Sequence, residues 1–117
     1  RLPIFLQVNV SGEISKSGWR IPGGMPDAVF LEEVEQIRDL PALQLKGLMT
    51  MPPFSKDGEN SRQYFVAIRK LAEKVNAHFR ASLLTDFSMG TSFDYSIAIQ
   101  EGSTYVRIGE AILGPRV

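Results

Sequence analysis

The stretch Ser88-Met89-Gly90-Thr91-Ser92-Phe93-Asp94-Tyr95, with Thr104-Tyr105-Val106-Arg107-Ile108-Gly109-Glu110-Ala111-Ile112-Leu113-Gly114-Pro115-Arg116 after it, decides the fold. Each part reads as a short apolar strand that stops at a glycine and turns into a helix. Two such turns side by side expose backbone N–H groups where an anion can sit. Together they outline a phosphate cradle.

The rest of the chain repeats the same unit. Ile4 to Val10 (IFLQVNV) is β-rich and ends at Ser11-Gly12, and an amphipathic segment from Asp27 to Leu40 carries Phe30, Val34 and Ile37 at helical spacing. A second unit runs from Leu45-Lys46-Gly47-Leu48-Met49 through the breaker Pro52-Pro53 to a long helix over Glu59 to Phe79. Its apolar stripe is Phe65, Ile68, Leu71, Ala72, Val75 and Phe79. The third unit is a strand over Leu83 to Met89 and a helix opened by Thr91, and the fourth is a strand over Tyr105 to Ile108 and a short helix over Glu110 to Leu113. Consecutive βα units with short connections predict an α/β fold with parallel strands and right-handed crossovers.

Two details favour a (β/α)8 barrel over a doubly wound sheet. In the first strand Ile4, Leu6 and Val8 alternate with Phe5, Gln7 and Asn9, so one face suits helices and the other turns polar toward its C-terminal end. A barrel lumen opening onto a site has that character. No G-x-G-x-x-G follows the strand, as a dinucleotide-binding sheet would show. A whole barrel needs about 250 residues. These 117 residues make only half of one, four βα units in one domain spanning 1–117.

Composition narrows the chemistry. Thirteen basic residues offset thirteen acidic ones, so no bulk field favours nucleic acid or an anionic membrane. Cysteine is absent and histidine occurs once, at His78, which argues against thiolate or imidazole metal centres. Any cofactor is expected to be organic or anionic. No apolar run approaches the ~20 residues that span a bilayer, and Arg1-Leu2-Pro3-Ile4 lacks a signal-peptide pattern, so the expectation is a soluble, cytoplasmic protein.

Four segments carry a family resemblance: Leu2 to Glu13 with Lys16-Ser17-Gly18, then Lys46-Gly47-Leu48-Met49-Thr50-Met51-Pro52-Pro53, Ser88 to Tyr95, and Val106-Arg107-Ile108-Gly109. In this order they resemble the pyridoxal-phosphate homeostasis proteins (the YggS/PROSC type), which are similar to the alanine racemase N-terminal barrel. The resemblance covers nearly the whole chain and the later half of the family's barrel. It implies a barrel of fold type III and pyridoxal 5'-phosphate as cofactor.

By that resemblance the phosphate falls at Ser92 and at the Gly109-Glu110 turn. Thr91-Ser92-Phe93-Asp94 fits a capping box, with Thr91 expected to cap the helix and Ser92 to face outward. Gly109 would admit close backbone approach. Arg107 is matched to the pyridine nitrogen; a guanidinium only donates, so it would hold that nitrogen unprotonated and leave the ring a weak electron sink. Asn9 and Met49 match residues lining the cofactor face, while Glu13 and Lys16 are either solvated or part of a lid. Phe93 and Tyr95 read as packing, and His78 as a surface residue at a helix end.

The chain departs from the family pattern at Glu110, where Thr is usual. The Glu110 backbone N–H is expected to contribute while its side chain turns away. The family's cofactor-linking lysine lies on the first strand of the barrel, and none of Lys16, Lys46, Lys56, Lys70 or Lys74 matches it. Contacts from this chain are therefore expected to be non-covalent, with no catalytic residue and no metal ligand. The resulting function is a non-enzymatic cofactor carrier; the alternatives are an amino-acid racemase of the same barrel type, or a fragment binding simple phosphate or a partner chain. Open strand edges and an uncovered inner face imply that a missing N-terminal half, or a second copy, completes the shell.

Overall fold

Alternation of apolar and polar residues from Leu2 to Asn9 builds β1, which sends Leu6 and Val8 into the core. A computed structural model describes residues 1–13 and 17–113 and leaves the side chains of Glu110 and Ala111 aside. The Lys16 lid and Gly114-Pro115-Arg116 lie outside the described residues. After β1 come β2 (Trp19–Arg20), α1 (Ala28–Arg38), β3 (Leu43–Met49), α2 (Arg62–Phe79), β4 (Asp86–Ser88), α3 (Tyr95–Gln100) and α4 (Glu110–Leu113). The sheet has the order β2-β1-β3-β4, and each pairing is parallel. The chain is thus an α/β fold on a parallel sheet.

One face of the sheet is dry. Leu6, Val8 and Leu48 pack with Phe30 and Val34 of α1 and with Phe65, Ile68, Leu71 and Val75 of α2 in a single cluster. Burying such side chains contributes about 1.5–3 kcal/mol each, which fixes the register, because a one-residue slip would turn them outward. On the other face Phe5 and Met49 lie outside that cluster, and Phe5 meets Tyr105 edge-on at 5.5 Å. In the β1–β3 ladder Ile4 pairs with Leu45 but Phe5 with Gly47, so Lys46 is an extra residue, a β-bulge. Its Nζ lies 3.9 Å from Asp86.

Three expectations about strands need correcting. The strand expected over Leu83 to Met89 is confined to Asp86–Ser88, because α2 intercepts its start. Asn76 Oδ1 accepts from the N–H groups of Leu83 (3.1 Å) and Leu84 (2.9 Å), and its Nδ2 donates to the Leu84 carbonyl at 3.0 Å. The strand expected over Tyr105 to Ile108 is a single parallel bridge between Ser88 and Tyr105. Gly90, at φ +106°, turns the chain away, so the next bond runs from Arg107 N–H to the Gly90 carbonyl. The first strand's outer edge was expected to be open, yet β2 pairs with it at Val8 and Asn9. A two-residue strand leaves no periodic trace; Trp19 is held by an indole N–H donated to Glu33 at 2.7 Å.

Candidate cofactor site

The C-terminal ends of β1, β3 and β4 converge on Thr50, the residue after β3. Its buried hydroxyl donates to the Val8 carbonyl at 2.8 Å and its N–H to the Ser88 carbonyl at 3.1 Å. Its own carbonyl accepts from Arg107 Nη2 at 3.0 Å. One threonine therefore fixes the relative height of three strand ends and seats the arginine above them.

Arg107 is half-buried. Burial lowers its pKa from the ordinary guanidinium value, opposed by the charge of Asp94. Arg107 Nη1 is buried without a hydrogen-bond partner, the one such side-chain atom among the described residues. A buried donor left unmade costs about 1–3 kcal/mol, so this atom marks a place where an acceptor fits.

Arg107, Ser92 and Gly109 line one cavity of about 520 Å3 together with Met51, Phe54, Thr91 and Phe93. A Cβ built on Gly109 would meet nothing within 4 Å. The glycine is thus not required by crowding within the chain, and it leaves the wall open to a ligand's approach. Gly90 beneath the cavity is different: besides its positive φ, an added Cβ would lie 2.7 Å from the Ala98 Cβ.

Half of the capping box forms. Thr91 donates both its N–H (2.7 Å) and its hydroxyl (3.3 Å) to Asp94 Oδ1, while Asp94 makes no forward cap on α3. Asp94 is 7% exposed; its carboxylate makes the reach-back half of the box with the Thr91 N–H, while the Thr91 hydroxyl donates to the same oxygen instead of accepting from the Asp94 N–H, which goes to the Thr91 carbonyl at 3.2 Å.

Asn9 and Met49 do not line this cavity. Asn9 is buried at the end of β1, where Oδ1 accepts from the Ser11 N–H (3.0 Å) and hydroxyl (2.7 Å) and Nδ2 donates to the Glu13 carbonyl. Met49 is half-buried between Gln7 and Ser88 in the ladder. The Glu110 backbone opens α4 directly after Gly109; the expectation for its side chain lies outside the described residues. Sequence reasoning missed Met51, Phe54 and Asp94. Phe54 follows the Pro52-Pro53 breaker, which aims it at Phe93, edge-on at 5.2 Å. Phe93, expected to be packing, is a cavity wall. Among the described residues no group of His, Asp and Glu is placed to hold a metal ion, and no helix is long and apolar enough to cross a membrane.

A parallel sheet whose strand ends carry a guanidinium and two turn segments around one cavity defines the class, and the family comparison agrees with it. The profile for the alanine racemase N-terminal domain matches residues 1–117, and the chain belongs to that family. It is 41% identical over 115 residues, 98% of its length, to the pyridoxal phosphate homeostasis protein of Vibrio alginolyticus, of which it covers 46%. The protein of the same name from Aquifex aeolicus is 36% identical over 113 residues, with 97% of this chain and 46% of that protein covered. Among solved structures, PipY of Synechococcus elongatus with pyridoxal phosphate bound superposes with a TM-score of 0.78 at 28% identity, over 96% of this chain and 49% of PipY. The chain spans about half the length of these relatives.

Proposed function

We propose that residues 1–117 form the C-terminal half of a (β/α)8 barrel of fold type III that binds pyridoxal 5'-phosphate and serves as a cytoplasmic carrier in its homeostasis. The observation that carries this reading is the cavity joining Ser92, Gly109 and an arginine with an unpartnered buried Nη1. Ser92 and the backbone around Gly109 and Glu110 would hold the phosphate, and Arg107 would donate to the ring nitrogen. Asn9 and Met49 would act beneath it, Asn9 by ordering the loop after β1 and Met49 by packing the sheet face. When bound, the cofactor supplies an aldehyde and a ring able to withdraw electrons. Arg107 stays charged and only donates, so it opposes protonation of the ring nitrogen and mutes that withdrawal. The Phe54 and Phe93 rings give the cavity an apolar wall. These are the properties of a holder, and the kinship with relatives named for pyridoxal phosphate homeostasis supports the same reading.

The remaining half of the shell, from an N-terminal segment or a second copy, would cover the Phe5–Tyr105 face. Tyr105 is 53% exposed, and β2 guards β1 only at Val8 and Asn9. Titrating the protein with pyridoxal phosphate, followed by absorbance and competed with inorganic phosphate, tests the reading. Saturable binding displaced by phosphate is expected; binding that phosphate leaves untouched would sink the assignment.

A further inference from the structure

Asp94 is a buried carboxylate for which the proposed binding scheme has no use. It has no ion-pairing lysine or arginine at contact distance among the described residues, and its oxygen instead takes the N–H and hydroxyl of Thr91. A carboxylate kept that far from water needs compensation. Its charge opposes the lowering of the Arg107 pKa that burial causes.

The backbone ties the two together as well. Arg107 N–H donates to the Gly90 carbonyl at 2.9 Å, immediately before Thr91, so the arginine segment and the serine turn share a hinge point. From the other side, the loop before α2 backs the turn: a Cβ on Gly58 would lie 2.5 Å from the Phe93 carbonyl oxygen and 3.1 Å from the Asp94 Cα. The Thr91 N–H is committed to Asp94 and is not offered to an anion in the cavity.

We propose that Asp94 is a positioning residue acting on both ends of the cavity: through Thr91 it sets the Ser92 turn, and through its charge it balances Arg107. This deepens the cofactor-carrier reading and rests on it. The two roles separate by chemistry. Asp94→Asn keeps an oxygen to accept from Thr91 and removes the charge; Asp94→Glu keeps the charge and moves the oxygen.

Both variants are made in the intact protein, with thermal melting as a check on folding, inorganic phosphate as the anion probe and the absorbance of bound pyridoxal phosphate as the ring probe. Asp94→Asn is expected to hold phosphate within about threefold of the parent but to shift the bound cofactor's absorbance and its pH dependence. Asp94→Glu is expected to weaken phosphate about tenfold while leaving the absorbance near that of the parent. Two variants that melt alike yet show opposite ligand signatures cannot be explained by a structural role alone. If both fold and neither signature moves, or both move together, the inference is overturned. Ser92→Ala and Arg107→Ala serve as companions: if these too change nothing, the cofactor reading itself falls, whereas intact companion effects with inert Asp94 variants remove only the role given to Asp94.

Discussion

Arg107 donates from Nη2 to the carbonyl oxygen of Thr50 at 3.0 Å, across a separation of 57 residues in sequence. The bond turns a residue of the last βα segment into a fixture of β3, and through the Thr50 hydroxyl also of β1. An arginine held by one nitrogen, with its other terminal nitrogen buried and unpartnered, is prepared for a ligand acceptor.

Ser92 and Arg107 are expected to fail differently. Ser92→Ala should weaken pyridoxal phosphate retention by about tenfold, the worth of one charge-assisted hydrogen bond, with little change in the absorbance of what stays bound. Arg107→Ala should shift the absorbance while retention changes by about threefold or less. Equilibrium dialysis and absorbance on the same samples check both, and equal loss of cofactor in the two variants would show the roles are misassigned.

Without ligand, Arg107→Met is expected to melt no lower than the parent. The lost bond to Thr50 is worth about 1 kcal/mol, and removing a desolvated, unpartnered Nη1 returns a similar amount. A melting point several degrees lower would mean that Nη1 has a partner in solution.

Gly90→Ala is expected to destabilise the fold by about 2 kcal/mol or more, since φ is +106° and the new methyl would press on the Ala98 Cβ. Denaturant titration measures it. An unchanged midpoint would show that the turn beneath the cavity can re-form around a side chain.

Arg80 ends α2 in the left-handed conformation, φ 53°, as the described residues' one non-glycine residue with positive φ. Arg80→Gly is therefore expected to stabilise by about 0.5–1 kcal/mol, the strain relieved being partly offset by unfolded-chain entropy. A lower melting temperature would refute the argument.

Glu59 receives the Arg62 guanidinium, and that hydrogen bond holds its carboxyl below the ordinary carboxylate value. A depressed folded pKa contributes stability that is present above the unfolded value and lost as pH falls through the folded one. Glu59→Gln should therefore lower the melting temperature slightly near neutrality, with the difference from the parent closing as the pH falls below the ordinary carboxylate range, so that the acid limb is flatter. The pair is solvent-exposed, so a large effect would point to the neighbouring link from Arg62 to Glu101, at 2.7 Å.

The β1 alternation, the stripes of α1 and α2 and the glycine-terminated turns were legible in the sequence because each is a local pattern. Side-chain period states which face is buried whatever lies opposite it. The family was legible for the same reason: the residues that mark it lie in short contiguous runs. Competition between distant partners for the same backbone groups is not local, and there the tertiary structure decided. Asn76 takes the N–H groups of Leu83 and Leu84 that periodicity assigned to a strand, and Ser88 offers Tyr105 one bridge where a ladder was expected. The Thr91 hydroxyl, read as the acceptor of a capping box, donates to Asp94 instead, because the Asp94 N–H is taken by the Thr91 carbonyl. Phe54 joined the cavity only when Pro52 and Pro53 had turned it toward Phe93. A hydrogen bond goes to whichever acceptor the folded chain brings near, and that proximity is set by packing, which the order of residues states only indirectly.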